Sequence, residues 1–490
     1  MLKVIEYLKS SHKKIFYILS GLIILLGVYL RAKTYFLFSP TWCDEVFLIN
    51  NIVFKSFLSL FFPLDSLQAA PPLFLVLIKL ITKIIGAEYE LFALRLLPFI
   101  FSCFSVVLFF AFLLKTIKNK FVILAGLLLF SVNAMLIYYS AEVKQYSCDI
   151  FFCILFLYLY DKFNIQNKKQ LLITLSIAFI APFLSFTSIF VMFAIVLYKF
   201  FEVKEPIKNK IPYLYTLITI LVSSGFLWLI LNVNNQDMFV FFNTRISEFS
   251  VSNFFFMVSA YLKYLNLYSL VTMALLFIGM LVSFVKKSKY GIIMTLVFFE
   301  ACVLSFMGKY PFEGRAILYL MPICLYFMLC ACSTLETKKN ILNNIISILL
   351  LCIMFYSVNN IFDTFPTGSH SPNHQERVKD KEVVTNFLSK YNEEDKLIVT
   401  KFLVQFMKYY NVEAKYNKNI TYEDFISEST LDDVNKLIKT ENKKRNIWIL
   451  GFKDNPCAFD SEELENYLKS HNYNFEKNSI LYEYLFYIKK

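Results

Sequence analysis

Two adjacent carboxylates, Asp44 and Glu45, follow the first long apolar run of the chain, in the stretch SPTWCDEVFL at residues 39–48. A positioned carboxylate can remove a proton from a reacting group. Trp42 precedes the pair, and tryptophan is enriched where a membrane meets water. Two interpretations stand: acids of a solvated loop, or a reactive pair held at a membrane surface. The apolar segment that follows the pair favours the membrane surface.

Two arginines border apolar runs. Arg95 lies in ELFALRLLPFIF and Arg315 in YPFEGRAILYLMP, each at the start of a run. A guanidinium offers phosphate oxygens a planar pair of donors, so either arginine is a candidate phosphate ligand. The alternative for both is a side chain that extends to the membrane surface without a ligand.

A short polar segment, YYSAEVKQYS, separates two further apolar runs. It carries Glu142 and Lys144, with Tyr139 and Tyr146 close by. An ordinary hydrophilic turn is one interpretation of this segment. The other is that it joins the acids and arginines in a single pocket, suited to a substrate with a phosphate and a group that must lose a proton.

The composition is that of a polytopic α-helical membrane protein. Hydrophobic residues make up 57% of the 490 residues, above the 45–50% typical of soluble domains. The net charge of +12 does not indicate nucleic-acid binding, because the lysines are spread between apolar runs as in cytoplasmic membrane loops. No C-x-x-C pair or Cys/His cluster indicates a metal site.

Apolar runs near the length that spans a bilayer predict about eleven transmembrane helices. With the N-terminus inside, every cytoplasmic loop is rich in lysine, as the positive-inside rule requires. The predicted spans are 15–33, 92–114, 121–139, 146–161, 170–184, 186–202, 211–232, 265–285, 290–307, 316–333 and 340–358, with a break between Pro182 and Thr187.

One apolar segment, residues 71–86, is too short to span and is predicted to be an amphipathic helix on the outer surface. The first outer loop is then long, from 34 to 91, and it places Asp44 and Glu45 outside. Later outer loops are predicted at 138–146, 233–264 and 307–315.

The composition becomes charged and mixed after about residue 360. Strand-like KLIVT, NIWIL and LYEYLFYI alternate with helix-like KEVVTNFLSKY and DSEELENYLKSHN, the last opening with a capping box of Asp460 and Glu463. We therefore predict a transmembrane domain at 1–359 and a small extracytoplasmic α/β domain at 360–490.

In four places, and in order, the chain resembles the GT-C superfamily of membrane glycosyltransferases. The most similar group is glycosyltransferase family 39, which contains protein O-mannosyltransferases and aminoarabinose transferases. TWCDE resembles the acidic motif of its first outer loop. The paired prolines in AAPPLFLVLIKLITKIIG and the Arg-Leu-Pro-like FALRLLPFIFS resemble the next segments. LIYYSAEVKQYS and YPFEGRAILYLMP resemble two later motifs.

The resemblance implies roles for these residues. Asp44 would deprotonate the acceptor, and Glu45 would bind or orient it or hold a cation. Arg95 would bind the donor phosphate. Arg315 and Lys144 would be further ligands of the donor phosphate in the same pocket. The remaining predicted site residues would line the pocket: Trp42, Gln68, Tyr139, Glu142, Tyr146 and Tyr310. The family usually has His or Lys before the paired prolines, where this chain has Ala70, so a polar donor contact is either lost or replaced by Gln68.

The predicted function is an inverting glycosyltransferase of the bacterial plasma membrane, with its active site and C-terminal domain outside. Its donor would be a sugar on a polyprenyl phosphate such as undecaprenyl phosphate, and its acceptor a glycan, lipid or protein hydroxyl. The alternatives are a flippase or transporter for lipid-linked sugars and an oligosaccharide ligase. The resemblance implies no required cofactor, although Asp44, Glu45 and Glu142 have the oxygen ligands that a divalent cation prefers.

Overall fold

The computed structural model describes residues 2–203, 207–232, 251–265, 267, 270–312, 314–334, 374–416, 418–420, 422–425, 436, 438–442, 444–452, 461–479 and 483–490. The chain divides into two compact units. We call the first the membrane unit; it comprises Met1–Leu37, Ser56–Ile85 and Phe92–Phe365. We call the second the C-terminal unit; it comprises Phe38–Lys55, Gly86–Leu91 and Pro366–Lys490.

In its described part, the membrane unit consists of helices and the loops that join them. Its helices are α1 (Leu2–Phe36), α3 (Pro72–Ile85), most of α4 (Leu91–Leu94), α5 (Leu96–Thr116), α6 (Lys120–Val132), α7 (Ala134–Tyr138), α8 (Tyr146–Tyr158), α9 (Lys168–Leu184), α10 (Ser188–Glu202), α11 (Ile211–Asn232), α12 (Val251–Tyr264), α13 (Leu270–Val285), α14 (Lys289–Phe306) and α15 (Met321–Thr334). Short 3₁₀ segments include Tyr139–Ala141 and Gly314–Leu320. The remaining helix of the first outer loop, α2 (Cys43–Phe54), belongs to the C-terminal unit.

Long apolar helices confirm that the chain is an integral membrane protein. Among the described residues, five helices have the length and hydropathy to cross a bilayer: Lys13–Phe36, Leu96–Thr116, Ile211–Leu231, Lys289–Phe306 and Gly314–Ser333. They coincide with predicted spans. Helices α8, α9, α10 and α13 also lie at predicted spans, but they have only 13, 17, 15 and 16 residues. The count of about eleven spans therefore stays a prediction, and the span at 340–358 lies outside the described residues.

The predicted span at 121–139 is broken into α6 and α7, which meet at 50°. Asn133 causes the break: its backbone is extended, and its side chain accepts hydrogen bonds from the amides of Met135 and Leu136. Its Nδ2 also donates to the Leu265 carbonyl at 2.9 Å. A buried asparagine thus ends one helix and caps the next, which the apolar pattern alone did not indicate.

Three further segments were predicted from the sequence: a break between two helices, a short helix and a long loop. The break predicted between Pro182 and Thr187 is present, since α9 ends at Leu184 and α10 begins at Ser188. The helix predicted at 71–86 is α3, whose location on the membrane surface stays a prediction. The outer loop predicted at 233–264 contains α12 in its described part.

An ion-pair cluster joins three of the lysine-rich loops. The Asp161 carboxylate, just after α8, lies 2.8 Å from the Lys115 ammonium at the end of α5 and 2.7 Å from the Lys289 ammonium at the start of α14. These loops therefore lie on the same side of the helices, as the predicted topology requires. That this side is cytoplasmic stays a prediction.

The C-terminal unit contains a five-stranded mixed sheet in the order β2-β1-β3-β5-β4. Its strands are β1 (Lys396–Thr400), β2 (Tyr422–Phe425), β3 (Ile447–Phe452), β4 (Phe475–Ser479) and β5 (Glu483–Ile488). The first three pair in parallel, and β5 pairs antiparallel with β3 and β4. Its other helices are α16 (His374–Lys390), α17 (Lys401–Glu413) and α18 (Ser461–Ser470).

The predicted strands and helices of the tail correspond to β1, β3, β5, α16 and α18. The pattern missed β2, β4 and α17, and Asp460 of the predicted capping box lies outside the described residues. β3 is the central strand of the sheet, and its side chains are buried on both faces. The Trp448 indole is fully buried and donates to Asp395 Oδ2 at 2.9 Å.

The backbones of α13 and α15 pack closely, so we predict that one added methyl group between them destabilises the protein. A Cβ at Gly279 would lie 1.8 Å from the Phe327 carbonyl oxygen, so Gly279→Ala must separate the two helices. We expect the free energy of unfolding to fall by about 1–3 kcal/mol, measured by thermal unfolding of the purified protein. Gly225→Ala on α11 is the control, because among the described residues no heavy atom beyond the backbone of its own helix lies within 4 Å of the added Cβ. Equal melting temperatures for the two variants would contradict the close approach.

Candidate active site

The acid pair occupies the first turn of α2. The backbone of Trp42 is extended, and its carbonyl accepts the amides of Glu45 at 3.1 Å and Val46 at 2.9 Å. Negative charges are stabilised at a helix N-terminus, where the amide groups point outward. Glu45 and Trp42 are buried, whereas Asp44 is partly exposed. Of the pair, Asp44 is therefore the carboxylate with access to a substrate.

Glu45 has a cationic partner that the sequence did not reveal. Arg377 of α16 places Nη1 3.8 Å from Glu45 Oε2, within the C-terminal unit. Nothing in the pattern around Arg377 distinguishes it from the many other cations of the tail. Only the fold brings this arginine to the acid pair.

Arg95 lies between α4 and α5, and its carbonyl accepts the amide of Phe99 at 3.1 Å. Its side chain is only 2% exposed, near the Tyr35 hydroxyl. Tyr35 in turn stacks on Phe99 with ring centroids 4.5 Å apart and donates to the Phe92 carbonyl. Burial to this extent favours an interior ligand or partner for Arg95 over a side chain extended to the membrane surface.

The segment around Glu142 is buried, which contradicts a solvated hydrophilic turn. Glu142 is 1% exposed and Lys144 is 5% exposed. The Lys144 ammonium donates to Gln68 Oε1 at 2.8 Å across 76 residues of sequence. Gln68 therefore places a polar group beside the paired prolines. That it replaces the polar donor contact expected at the position of Ala70 stays a prediction.

An aromatic cluster surrounds Arg315. The rings of Tyr139 and Tyr146 meet edge to face at 5.0 Å, and the Arg315 guanidinium lies 6.0 Å from the Tyr146 ring. The Tyr139 hydroxyl also shares a hydrogen bond of 2.9 Å with that of Tyr264. Tyr264 was missed because, among 31 tyrosines, a single one at a helix end carries no distinguishing signal.

Tyr310 has a different set of contacts. Its hydroxyl donates to the Ala316 carbonyl, and its ring meets that of Phe190 at 5.1 Å. These contacts fold the segment before Arg315 back on itself. Tyr310 thereby helps to shape the loop that carries Arg315.

The predicted site residues thus fall into two sets. The membrane unit holds Arg95, the Gln68–Lys144 pair with Glu142, and the cluster of Tyr139, Tyr146 and Arg315. The C-terminal unit holds Trp42, Asp44 and Glu45. Within the described part of the chain, no three His, Cys, Asp or Glu side chains form a group that could hold a metal ion. Independence from metal stays a prediction.

Loss of the Lys144 acceptor should destabilise the membrane unit. Gln68→Ala removes the oxygen that receives the buried ammonium, and a hydrogen bond to a charged group is worth about 1.5–3 kcal/mol. We expect a lower melting temperature for this variant. Gln145→Ala is the control, because Gln145 Oε1 has no hydrogen-bond partner among the described residues. A melting temperature unchanged by Gln68→Ala would contradict the role of this contact.

Comparisons with known proteins agree with the fold. Residues 69–228 match the family profile described as dolichyl-phosphate-mannose-protein mannosyltransferase. No curated protein sequence matches the chain significantly.

Two solved structures have a similar fold. One is ArnT from Cupriavidus metallidurans bound to undecaprenyl phosphate, at 9% identity and a TM-score of 0.54, covering 95% of this chain and 97% of that one. The other is the apo oligosaccharyltransferase of Archaeoglobus fulgidus, at 11% identity and a TM-score of 0.53, covering 88% of this chain and 69% of that one. At these identities the structures show the fold, and the family profile matches the segment that contains Arg95, Glu142 and Lys144. The chain therefore has a fold similar to those of these two structures, and its residues 69–228 are similar to the mannosyltransferase family.

Proposed function

We propose that this protein transfers a single sugar from a polyprenyl phosphate to an acceptor hydroxyl, with inversion at the anomeric carbon, on the outer side of the membrane. The observation that carries the proposal is the burial of Arg95 and Lys144 in a membrane-embedded unit. Buried cations suit a phosphate whose lipid tail stays in the bilayer. The matched family is named for a dolichyl-phosphate-linked mannose, and the ArnT structure contains undecaprenyl phosphate.

In the proposed mechanism, Asp44 removes the proton from the acceptor hydroxyl. The acceptor oxygen then forms a bond to the anomeric carbon as the bond from that carbon to the phosphate oxygen breaks. The departing polyprenyl phosphate keeps the electron pair, and Arg95 stabilises its charge. A phosphate is a good leaving group, so the site needs no strong general acid. Attack opposite the phosphate inverts the anomeric centre, as in inverting glycosidases.

The matched family profile supports a glycosyltransferase over the flippase and transporter alternatives. An oligosaccharide donor stays the second candidate, since the oligosaccharyltransferase has the same fold. A single-sugar donor is favoured because the family matched at 69–228 is named for a mannosyl phosphate. Release of polyprenyl phosphate from single-sugar and oligosaccharide donors, measured with the purified protein, distinguishes the two.

Asp44→Asn tests the base. The substitution keeps the size of the side chain and removes its basicity, so turnover should fall about 10²–10⁴-fold while donor affinity is retained. Release of polyprenyl phosphate measures turnover, and direct binding measures affinity. Glu90→Gln is the matched control, because it neutralises another acid of the same outer loop that is exposed. Full turnover in Asp44→Asn would refute the mechanism.

Arg95→Ala tests the phosphate ligand. Loss of its charge-assisted hydrogen bonds should weaken donor binding about 10–150-fold, the equivalent of 1.5–3 kcal/mol. Arg95→Lys should give an intermediate affinity, because an ammonium keeps the charge without the planar pair of donors. The measurement is binding of a polyprenyl-phosphate sugar. Unchanged affinity in Arg95→Ala would exclude this arginine as the phosphate ligand.

A further inference from the structure

The segment that carries the acid pair is bound to two helices of the C-terminal unit. Arg377 of α16 lies 3.8 Å from Glu45 Oε2 and donates to the Pro40 carbonyl at 3.3 Å. The Arg377 and Glu45 side chains are 3% and 0% exposed. Removing one partner of a buried ion pair leaves an uncompensated charge, which is strongly unfavourable. Arg377 therefore connects Pro40, three residues before α2, with the first turn of that helix.

Two neutral contacts from α17 hold the same segment. The Thr41 and Tyr410 hydroxyls share a hydrogen bond of 2.8 Å. Burial raises the pKa of Tyr410, so this hydroxyl stays protonated at neutral pH. Farther along α2, Asn50 Nδ2 donates to both the backbone carbonyl and the side-chain oxygen of Gln405, each at 2.9 Å.

Residues on both sides of Asp44 in the sequence make these contacts. Pro40 and Thr41 precede it, Glu45 follows it directly, and Asn50 lies near the end of the same helix. The backbone at residue 44 therefore has little freedom to move unless at least one of these contacts breaks. Asp44 is partly exposed, and a shift of that backbone would move its carboxylate.

We propose that the C-terminal unit is the scaffold of the acid pair and that Arg377 is the positioning residue, acting on Asp44 through Glu45 and the Pro40 carbonyl. The catalytic part of this inference rests on the proposed function, in which Asp44 is the base. The anchoring part stands on the contacts alone. A C-terminal domain that only binds the acceptor or caps the site would not need a buried arginine paired with Glu45.

The test uses the full-length protein and two measurements. Arg377→Met removes the charge at similar length, and Arg377→Lys keeps the charge. Arg445→Met is the matched control: it makes the same chemical change in the same unit, where Arg445 is 40% exposed and pairs with Glu441 at 2.6 Å. Hydrogen–deuterium exchange reports the opening of α2, and polyprenyl-phosphate release reports turnover.

In Arg377→Met we expect amide exchange in α2 to accelerate at least about tenfold, because loss of the buried pair lowers the cost of local opening. Exchange in β1 and β3 should stay at the wild-type rate. The kcat should fall at least about tenfold while the KM for donor changes less than about twofold, since the proposed donor ligands, Arg95 and Lys144, belong to the membrane unit. Arg377→Lys should recover part of the kcat, and Arg445→Met should behave as wild type.

The outcomes separate the two parts of the inference. Unchanged exchange in α2 of Arg377→Met would overturn the anchoring. Faster exchange in α2 with undiminished kcat would overturn the positioning role of Arg377, whereas the role of Asp44 as base is decided separately by Asp44→Asn. If Arg377→Met unfolds, so that β1 and β3 also exchange faster, Arg377→Lys decides: wild-type exchange in α2 and wild-type kcat would refute a requirement for the arginine geometry. If the wild-type protein releases no polyprenyl phosphate from any donor, the proposed function fails, while exchange in α2 still decides the anchoring.

Discussion

A charged side chain inside a protein needs a partner, and this requirement accounts for much of the arrangement described above. Arg31, fully buried on α1, donates to the Ser102 hydroxyl and to the carbonyls of Gly27 and Ser131 at 2.8–2.9 Å. Those contacts join α1 to α5 and α6. Lys144 meets Gln68, and Glu45 meets Arg377, each across a long stretch of sequence. Each buried charge thus connects segments that are distant in the chain.

The predicted first outer loop contributes to both units. Residues 56–85, with Gln68 and the paired prolines, belong to the membrane unit, and residues 38–55, with the acid pair, belong to the C-terminal unit. The predicted domains assigned both segments to 1–359. The difference matters for the chemistry, because the proposed base is held by contacts from residues more than three hundred positions later in the chain. Truncation of the tail would therefore remove part of the support of the proposed base.

Each unit holds residues that suit one half of the proposed reaction. Phosphate binding needs cations with little competing water, and Arg95 and Lys144 are buried within the membrane unit. Proton removal needs a carboxylate that an acceptor can reach, and Asp44 is the more exposed member of its pair. The proposed transfer needs both, since its donor would be anchored in the membrane and its acceptor would be in water.

The sequence by itself determined the membrane class, the positions of most apolar helices, the strands β1, β3 and β5, and the residue types of the candidate site. Hydropathy and strand periodicity are local properties, so they can be read from a short window. It did not reveal the division of 121–139 at Asn133, the burial of the segment around Glu142, or the contacts of Tyr264. The sequence also did not reveal the pairing of Glu45 with Arg377. These features depend on partners distant in sequence, and only the tertiary structure decides which polar groups meet when the helices pack and water is excluded.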